Sequence, residues 1–195
     1  MIKTALLFFV TFQLTLANFS KKTSIELTSI FSDHIVGELM KSFFYDRALS
    51  NEDKQKLKVA SPEIGKYLSE KLQPALRSIS LSAHSALNTA ISNDIDPELI
   101  FAQQVIGYGD QGDTLLGIST SGNSKNVISA IITAKAMGLK TIGLTGKKGG
   151  ELRQICDVAI CVNADETPDI QELHLPIYHT PVSYTHLTLP TILLV

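Results

Sequence analysis

The sequence predicts an α/β protein in which a parallel sheet is covered by helices on both faces. Two observations predict this class. Between residues 113 and 162, short apolar runs alternate with helical segments, and such alternation produces a parallel sheet with right-handed crossovers. The chain has 195 residues and is 44% hydrophobic, so it contains enough apolar side chains to build the core that such a sheet requires.

The composition excludes several classes of protein. The chain has 17 basic and 19 acidic residues, so it offers no basic face for nucleic acid or for an anionic membrane. Cys156 and Cys161 are the two cysteines of the sequence and do not form a CxxC pair. A disulfide scaffold and a four-cysteine zinc site are therefore excluded. We expect a cytoplasmic enzyme that binds neither nucleic acid nor a membrane.

The two ends of the chain differ from its middle. Residues 1–31 contain an apolar run, Ala5–Ala17, which resembles a signal peptide and is too short for a transmembrane helix of about 20 residues. Two other interpretations of this run remain open, namely a buried strand or helix, and sequence foreign to the gene. Residues 181–195 carry no charge, and both a truncated or misread end and a genuine terminal strand remain open. We therefore treat 1–31 and 181–195 as atypical segments around a central domain, 32–180.

The first half of the central domain is predicted to be mostly helical. Apolar side chains at helical spacing predict a helix over residues 32–47. The charge-rich stretch Asn51–Lys71 predicts a solvated helical or looped excursion, in which Pro62 opens a second helix at Ser61. The elements that follow are a short strand at Ser78–Leu81, a helix ending near Asn93, and a helix from Pro97 to the glycines Gly107 and Gly109.

The second half carries the strongest pattern. Leu115, Leu116 and Ile118 indicate a buried strand, and Lys125–Gly138 has the apolar face of an amphipathic helix. A strand in KTIGLT, a short helix in GGELRQIC and a strand in DVAICV follow. In parallel sheets, ligands bind beyond the carboxyl ends of the strands. The polar loop STSGNS comes at such an end, and we therefore expect the binding site there.

This loop places four hydroxyl groups, those of Ser119, Thr120, Ser121 and Ser124, around Gly122 at the start of a helix. Orphan backbone N–H groups and the positive end of the helix dipole favour an anion at that place. An ordinary N-cap would require only one hydroxyl. We interpret the loop as a phosphate site. Because the sequence has neither a Walker lysine here nor GxGxxG, a nucleoside triphosphate or dinucleotide is disfavoured.

Metal-ligating residue types occur in two places. His34 and Glu38 are four residues apart and share a helix face, although such a pair alone is more often a surface pair. Gln171 and His179 would lie about 12 Å apart along a straight helix, so a shared ion requires both side chains to lean inward, which a bend at Pro176 would assist. The spacing alone does not establish a metal site. No role beyond packing or surface is assigned to His174, Tyr178 and His186.

Three motifs together resemble the sugar isomerase (SIS) domain of phosphoheptose isomerases: GDTLLGISTSGNSKNVISAI, GLKTIGLTGKKGGEL and IQELHLPIYH. SDHIVGEL resembles the metal-bearing helix of that family, and SND at Ser92–Asp94 resembles a substrate-contacting turn. The resemblance covers residues 32–180. It implies a doubly wound, flavodoxin-like α/β fold, with a parallel sheet sandwiched by helices, that assembles as a homotetramer in the cytoplasm.

The resemblance also implies an activity, namely isomerisation of D-sedoheptulose 7-phosphate to D-glycero-D-manno-heptose 7-phosphate with one zinc ion per subunit. The zinc ligands that it implies are His34, Glu38, Gln171 and His179. The substrate contacts that it implies are Asn93, Asp94, Ser119, Thr120, Ser121, Ser124 and Gln171. In this family pattern Glu38 is the base and His179 the acid of an enediol mechanism, and zinc polarises or orients the sugar oxygens.

The sequence departs from the family pattern before Ser32. The family has a glycine-rich loop, GNGGS, before its metal-bearing helix, whereas this chain has KKTSIELTSIF. We therefore expect the chain as written to be a truncated, weakly active form. A second class of function is a non-catalytic SIS module that binds a phosphosugar or a protein partner. Such a module needs the serine loop but not the four metal-ligating residues, and their joint presence favours the enzyme.

Overall fold

The structure, a computed structural model, describes residues 11–13, 48–73 and 79–177. Its strands form one parallel sheet in the order β1-β2-β3-β4. They are β1 (Thr11–Gln13), β2 (Thr114–Ser119), β3 (Lys140–Thr145) and β4 (Val158–Cys161). Leu116 of β2 is opposite Ile142 of β3, which is in turn opposite Val158. All six residues of β2 are buried, so this strand is covered on both faces, as the sequence predicts.

The helices follow one another between β1 and β2 and alternate with strands from β2 onward, in the predicted order. They are α1 (Asn51–Ala60), α2 (Pro62–Lys71), α3 (Ser85–Asp94), a 3₁₀ turn (Pro97–Leu99), α4 (Ile100–Tyr108), α5 (Lys125–Ala136), α6 (Leu152–Ile155) and α7 (167–177), at which the described residues end. Ser61 is the N-cap residue of α2, which confirms the predicted helix start. The helix predicted over 32–47 lies outside the described residues. In the described ranges, no helix combines the length and apolar character that a membrane span requires.

The strand predicted at Ser78–Leu81 is wrong for its described residues, 79–81, which form no strand. Leu81 lies in a turn and is fully buried. Its carbonyl oxygen accepts hydrogen bonds from Asn88 Nδ2 (3.2 Å) and Gln104 Nε2 (3.1 Å). Two side-chain amides thus satisfy the buried carbonyl that a neighbouring strand would otherwise have to satisfy. The apolar pattern here reflects the burial of Leu81 and not strand pairing.

The core lies between β2 and the helices that pack on it. Val127, Ile131 and Ala134 occupy one face of α5 and are fully buried. They belong to the same apolar cluster as Leu115 of β2. A side chain at Gly117 would meet Val127 Cγ1 at 2.9 Å, so glycine in the middle of β2 permits the close approach of α5. This packing fixes the N-terminus of α5 at the carboxyl end of β2.

Asp157 fastens the start of β4 to β3. Its Oδ2 accepts hydrogen bonds from the backbone nitrogen of Thr141 (2.8 Å) and from Thr141 Oγ1 (3.0 Å), and its own backbone N–H donates to Thr141 Oγ1 (3.0 Å). Lys135 Nζ lies 3.5 Å from Asp157 Oδ1. The hydrogen bonds from Thr141, assisted by the charge of Lys135, hold the pKa of Asp157 below its ordinary value. The start of β4 is therefore held to β3 by the ionised side chain of Asp157 as well as by backbone pairing.

Candidate functional site

The loop after β2 gathers its hydroxyl groups around one buried serine. Ser119 Oγ lies 2.8 Å from Ser124 Oγ and 3.5 Å from Ser121 Oγ, and it accepts a hydrogen bond from the backbone N–H of Gly122 at 3.1 Å. Ser119 is 1% exposed, whereas Ser121 is exposed. The structure therefore brings three of the four predicted hydroxyls together, with Ser121 on the open side. Thr120 is buried beside them and is 6% exposed.

Ser124 does not act as an ordinary helix cap. It occupies the N-cap position of α5, yet its side chain makes no capping hydrogen bond, because its hydroxyl lies against Ser119. The backbone N–H of Val127 instead donates a hydrogen bond to Asn126 Oδ1 at 2.9 Å. The Ser124 side chain therefore caps no backbone N–H group in the first turn of α5. The positive end of the helix dipole remains directed at the loop, where it favours an anion.

A second loop, residues 146–151, holds the serine loop in place. It contacts the serine loop through three hydrogen bonds: Gly146 N–H to Thr120 O (3.0 Å), Glu151 N–H to Asn123 Oδ1 (2.9 Å) and, at its end, Leu152 N–H to Gly122 O (3.0 Å). These bonds join residues 26 to 30 positions apart in the chain. The backbone of the predicted phosphate loop is thus fixed before any ligand binds.

Glycines make this close contact possible. Gly122, Gly149 and Gly150 have φ values of +68°, +76° and +55°, a region that other residues rarely adopt. A Cβ at Gly122 would collide with the carbonyl oxygen of Gly149, and one at Gly150 would meet Ser121 O at 2.5 Å. The two loops therefore touch backbone to backbone, and a side chain at either position would separate them.

Asn123 is a functional candidate that the sequence reasoning missed. Its Nδ2 donates to Ser121 O (3.1 Å), its backbone N–H donates to Ser121 Oγ (3.2 Å), and its Oδ1 accepts from Glu151 N–H. The side chain thereby bridges the serine loop and the 146–151 loop. The signal available in the sequence was an amide side chain, which offers a donor and an acceptor at once, inside a hydroxyl-rich loop.

Asn93 and Asp94 are the last two residues of α3, and both are exposed. The 3₁₀ turn that follows α3 lies against α5, where Glu98 Oε1 is 3.0 Å from Lys125 Nζ. Lys125 is the first residue of α5. The segment after Asp94 is therefore attached to the helix that begins at the serine loop.

Helix α7 meets the sheet at the carboxyl end of β3. His174 is fully buried, and its Nε2 lies 3.1 Å from the carbonyl oxygen of Thr145. Burial lowers the pKa of His174, opposed in part by the bond to Thr145. Ile170 is also buried, and a Cβ at Gly146 would meet its Cδ1 at 2.5 Å. Because Gly146 bonds to the serine loop, α7 and that loop lie at the same edge of the sheet.

Gln171 is the one implied zinc ligand among the described residues; His34, Glu38 and His179 lie outside them. Gln171 Nε2 is buried and has no hydrogen-bond partner. Rotation of the amide would place Oε1, a cation ligand, at the same point. Two histidines and a glutamate are ligands that zinc commonly takes, so three of the four implied residues fit this metal, whereas the amide oxygen of Gln171 is a less common zinc ligand. Within the described ranges, no three His, Cys, Asp or Glu residues form a group that could hold an ion.

Comparisons with known proteins connect this site to a family. A model of the SIS domain matches residues 61–146. The chain is 47% identical over 121 residues to a phosphoheptose isomerase of Nitratiruptor sp., covering 62% of this chain and 64% of that relative. It is 37% identical over 139 residues to one of Akkermansia muciniphila, covering 71% of each. The chain belongs to the phosphoheptose isomerase family.

Solved structures agree with this assignment. A phosphoheptose isomerase from Neisseria gonorrhoeae has a TM-score of 0.55 and 30% identity, covering 84% of this chain and 91% of that one. One from Francisella tularensis has a TM-score of 0.56 and 28% identity, covering 85% and 96%. These matches confirm the doubly wound α/β fold. The chain spans 64%, 61% and 59% of the relatives from Nitratiruptor sp., Sulfurimonas denitrificans and Helicobacter pylori.

Proposed function

We propose that this chain is an isomerase that converts D-sedoheptulose 7-phosphate to D-glycero-D-manno-heptose 7-phosphate. The names of its relatives support a phosphorylated heptose as substrate. The observation that carries the proposal is the group of hydroxyls around Ser119 at the N-terminus of α5, where the Ser124 hydroxyl bonds to Ser119 and caps no backbone N–H group. Such a group offers short, directed hydrogen bonds to a phosphate dianion.

Anchoring the phosphate would fix the position of the reacting carbons. Ser121 and Ser124 would donate to phosphate oxygens, with Ser119 orienting both hydroxyls and Thr120 completing the loop. Asn93 and Asp94 would bind sugar hydroxyls from the end of α3. Because the 146–151 loop already holds the serine loop, substrate binding would not have to order this part of the chain.

The reaction moves a carbonyl group from C2 to C1. In our proposal Glu38 takes a proton from C1, which gives an enediol, and a proton is returned to C2. His179 acts as the acid that transfers a proton between the two sugar oxygens. Gln171 contacts the substrate as well as the metal. A zinc ion held by His34, Glu38, Gln171 and His179, one per subunit, would polarise the sugar oxygens.

The assembly and location are part of the same proposal. We propose a homotetramer in the cytoplasm, as the family resemblance implies. Sedimentation equilibrium of the purified chain would measure the assembly, with four copies of the 21.2 kDa chain as the expected mass. A single copy at micromolar concentration would contradict it.

The proposed reaction can be tested with the purified chain, metal-loaded, by following conversion of sedoheptulose 7-phosphate by NMR. Ser121→Ala removes an exposed hydroxyl and leaves the core unchanged. We expect it to raise KM at least tenfold, because a hydrogen bond to a charged group is worth about 1.5–3 kcal/mol. Ser129→Ala, a partly buried serine later in α5, is the matched control and should leave KM unchanged.

The outcomes separate the two classes of function. An unchanged KM in Ser121→Ala would remove the serine loop from the site. Binding of the sugar phosphate without any conversion, measured by calorimetry on the same metal-loaded sample, would identify a non-catalytic SIS module instead of an isomerase.

A further inference from the structure

Helix α7 carries two buried polar atoms that have no partner. Gln171 Nε2 and His174 Nδ1 are both buried without a hydrogen bond. A buried, unsatisfied polar atom costs about 1–3 kcal/mol, and such atoms in a native protein call for a cause. Two of them on one helix, beside the proposed substrate site, point to a common cause.

The two atoms are chemically complementary. Thr145 O can only accept a hydrogen bond, so His174 Nε2, at 3.1 Å, is the nitrogen that carries the proton. A second proton on Nδ1 would place an unpaired charge in a fully buried ring, so Nδ1 is an acceptor, whereas Nε2 of Gln171 is a donor. The residues are three positions apart in α7, so they are neighbours on one face of the helix. Side chains at this spacing are close enough to form a hydrogen bond with each other.

We propose that His174 is a positioning residue whose Nδ1 accepts a hydrogen bond from Gln171 Nε2 and thereby turns the Gln171 carbonyl oxygen toward the proposed cation. The inference rests on the proposed function in that Gln171 is taken as a cation ligand. One hydrogen bond then satisfies both orphaned atoms. It also decides which end of the amide faces the ion, which an amide alone cannot do.

The same ring connects the cation ligand to the serine loop. His174 Nε2–H bonds to Thr145 O, and the next residue, Gly146, bonds to Thr120 O. Gln171 would thus be tied through one imidazole ring to the end of β3 and from there to the serine loop. The separation between the cation and the phosphate would then be set by the fold rather than by a free side chain.

Two substitutions separate the two hydrogen bonds of the ring. In His174→Gln the amide nitrogen reaches the position of imidazole Nε2 and keeps the bond to Thr145 O, but no acceptor remains at the Nδ1 position. In His174→Asn the amide oxygen takes the Nδ1 position, but the side chain does not reach Thr145. The first variant keeps the bond present in the structure, and the second keeps the bond that we propose.

The test is calorimetric titration of zinc alone into the metal-free full chain. We expect His174→Gln to weaken zinc affinity about tenfold or more, as outer-shell partners of metal ligands do, and His174→Asn to remain within about threefold of the parent. Thermal unfolding without metal should give the opposite order, with His174→Gln the more stable variant. If His174→Asn binds zinc more weakly than His174→Gln, the ring has only a packing role and the proposal is overturned.

A measurement on the parent chain avoids any dependence on how the variants fold. In zinc-loaded protein with ¹⁵N-labelled Gln and His, an N–H···N hydrogen bond gives a scalar coupling between Gln171 Nε2 and His174 Nδ1. Absence of that coupling overturns the inference. If the coupling is present but Gln171→Leu leaves zinc affinity unchanged, the hydrogen bond stands and the cation role of Gln171 under the proposed function fails.

Discussion

Gly122 has a backbone conformation and a neighbour that together exclude a side chain. Its φ is +68°, and a Cβ would collide with the carbonyl oxygen of Gly149. Gly107, by contrast, lies in α4 with no atom within 4 Å of where its Cβ would be. The two glycines therefore form a matched pair in which the same substitution has opposite consequences.

We expect Gly122→Ala to lower the free energy of unfolding by more than about 1–2 kcal/mol, the cost of a left-handed conformation alone, and to raise KM by displacing the 146–151 loop. Gly107→Ala should raise the free energy of unfolding by about 0.5–1 kcal/mol, because alanine is the better helix former. Urea denaturation measures both. Equal effects of the two substitutions would contradict the close contact of the loops.

Cys156 offers a second prediction at the level of a single residue. Burial raises the pKa of its thiol to about 11, opposed by Lys135 and assisted by Asp157. Since the thiolate is the reactive form, we expect Cys156 to react with iodoacetamide at pH 8 much more slowly than free N-acetylcysteine does, and faster as the pH approaches 11. Mass spectrometry of the Cys156 peptide reports the rate. Reaction at the rate of the free thiol would show that the side chain is not desolvated.

The contact between strands β3 and β4 depends on the ionised form of Asp157. Because hydrogen bonds from Thr141 lower its folded-state pKa from the ordinary 3.8, its contribution to stability is present at pH values above 3.8. That contribution is lost as the pH falls through the lower, folded-state value. The carboxylate therefore stabilises the sheet at neutral pH and not in strong acid.

We expect Asp157→Asn to be less stable than the parent at pH 7, since asparagine keeps one oxygen that can accept from Thr141 but loses the charge and the oxygen that faces Lys135. The difference in the free energy of unfolding should shrink as the pH falls below 3.8. Guanidinium denaturation at a series of pH values measures that difference. A difference independent of pH would mean that the charge of Asp157 plays no part in holding β4.

For the whole molecule, ligand binding at the serine loop should appear as added stability. A ligand that binds only the folded chain stabilises it by about 2.7 kcal/mol at a hundred times its Kd. If the loop recognises phosphate as we propose, sedoheptulose 7-phosphate should raise Tm and unphosphorylated sedoheptulose at the same concentration should leave it unchanged. Differential scanning fluorimetry reports the shift, and Ser121→Ala should reduce it. Equal shifts from the two sugars would place recognition on the sugar hydroxyls instead.

The sequence by itself determined the elements and the hydroxyl loop. Apolar runs and helical spacing encode β2, α5, β3 and β4 locally, since each pattern spans fewer than fifteen residues and depends only on which face is buried. The four hydroxyls lie within six consecutive residues, and their place after a parallel strand put them at the edge of the sheet. The place of the serine loop was predictable for that reason.

Only the tertiary structure decided how the serine loop is held in place. It also decided that Leu81 lies in a turn, where the sequence predicted a strand. The contact of Gly122 with Gly149, and that of Leu81 with Gln104, join residues more than twenty positions apart. No local periodicity records which distant partner satisfies a backbone carbonyl, because any donor of suitable geometry can do so. His174 is a similar case: its burial against Thr145, and its unpartnered Nδ1 on the same helix face as Gln171, arise when α7 packs on the end of β3.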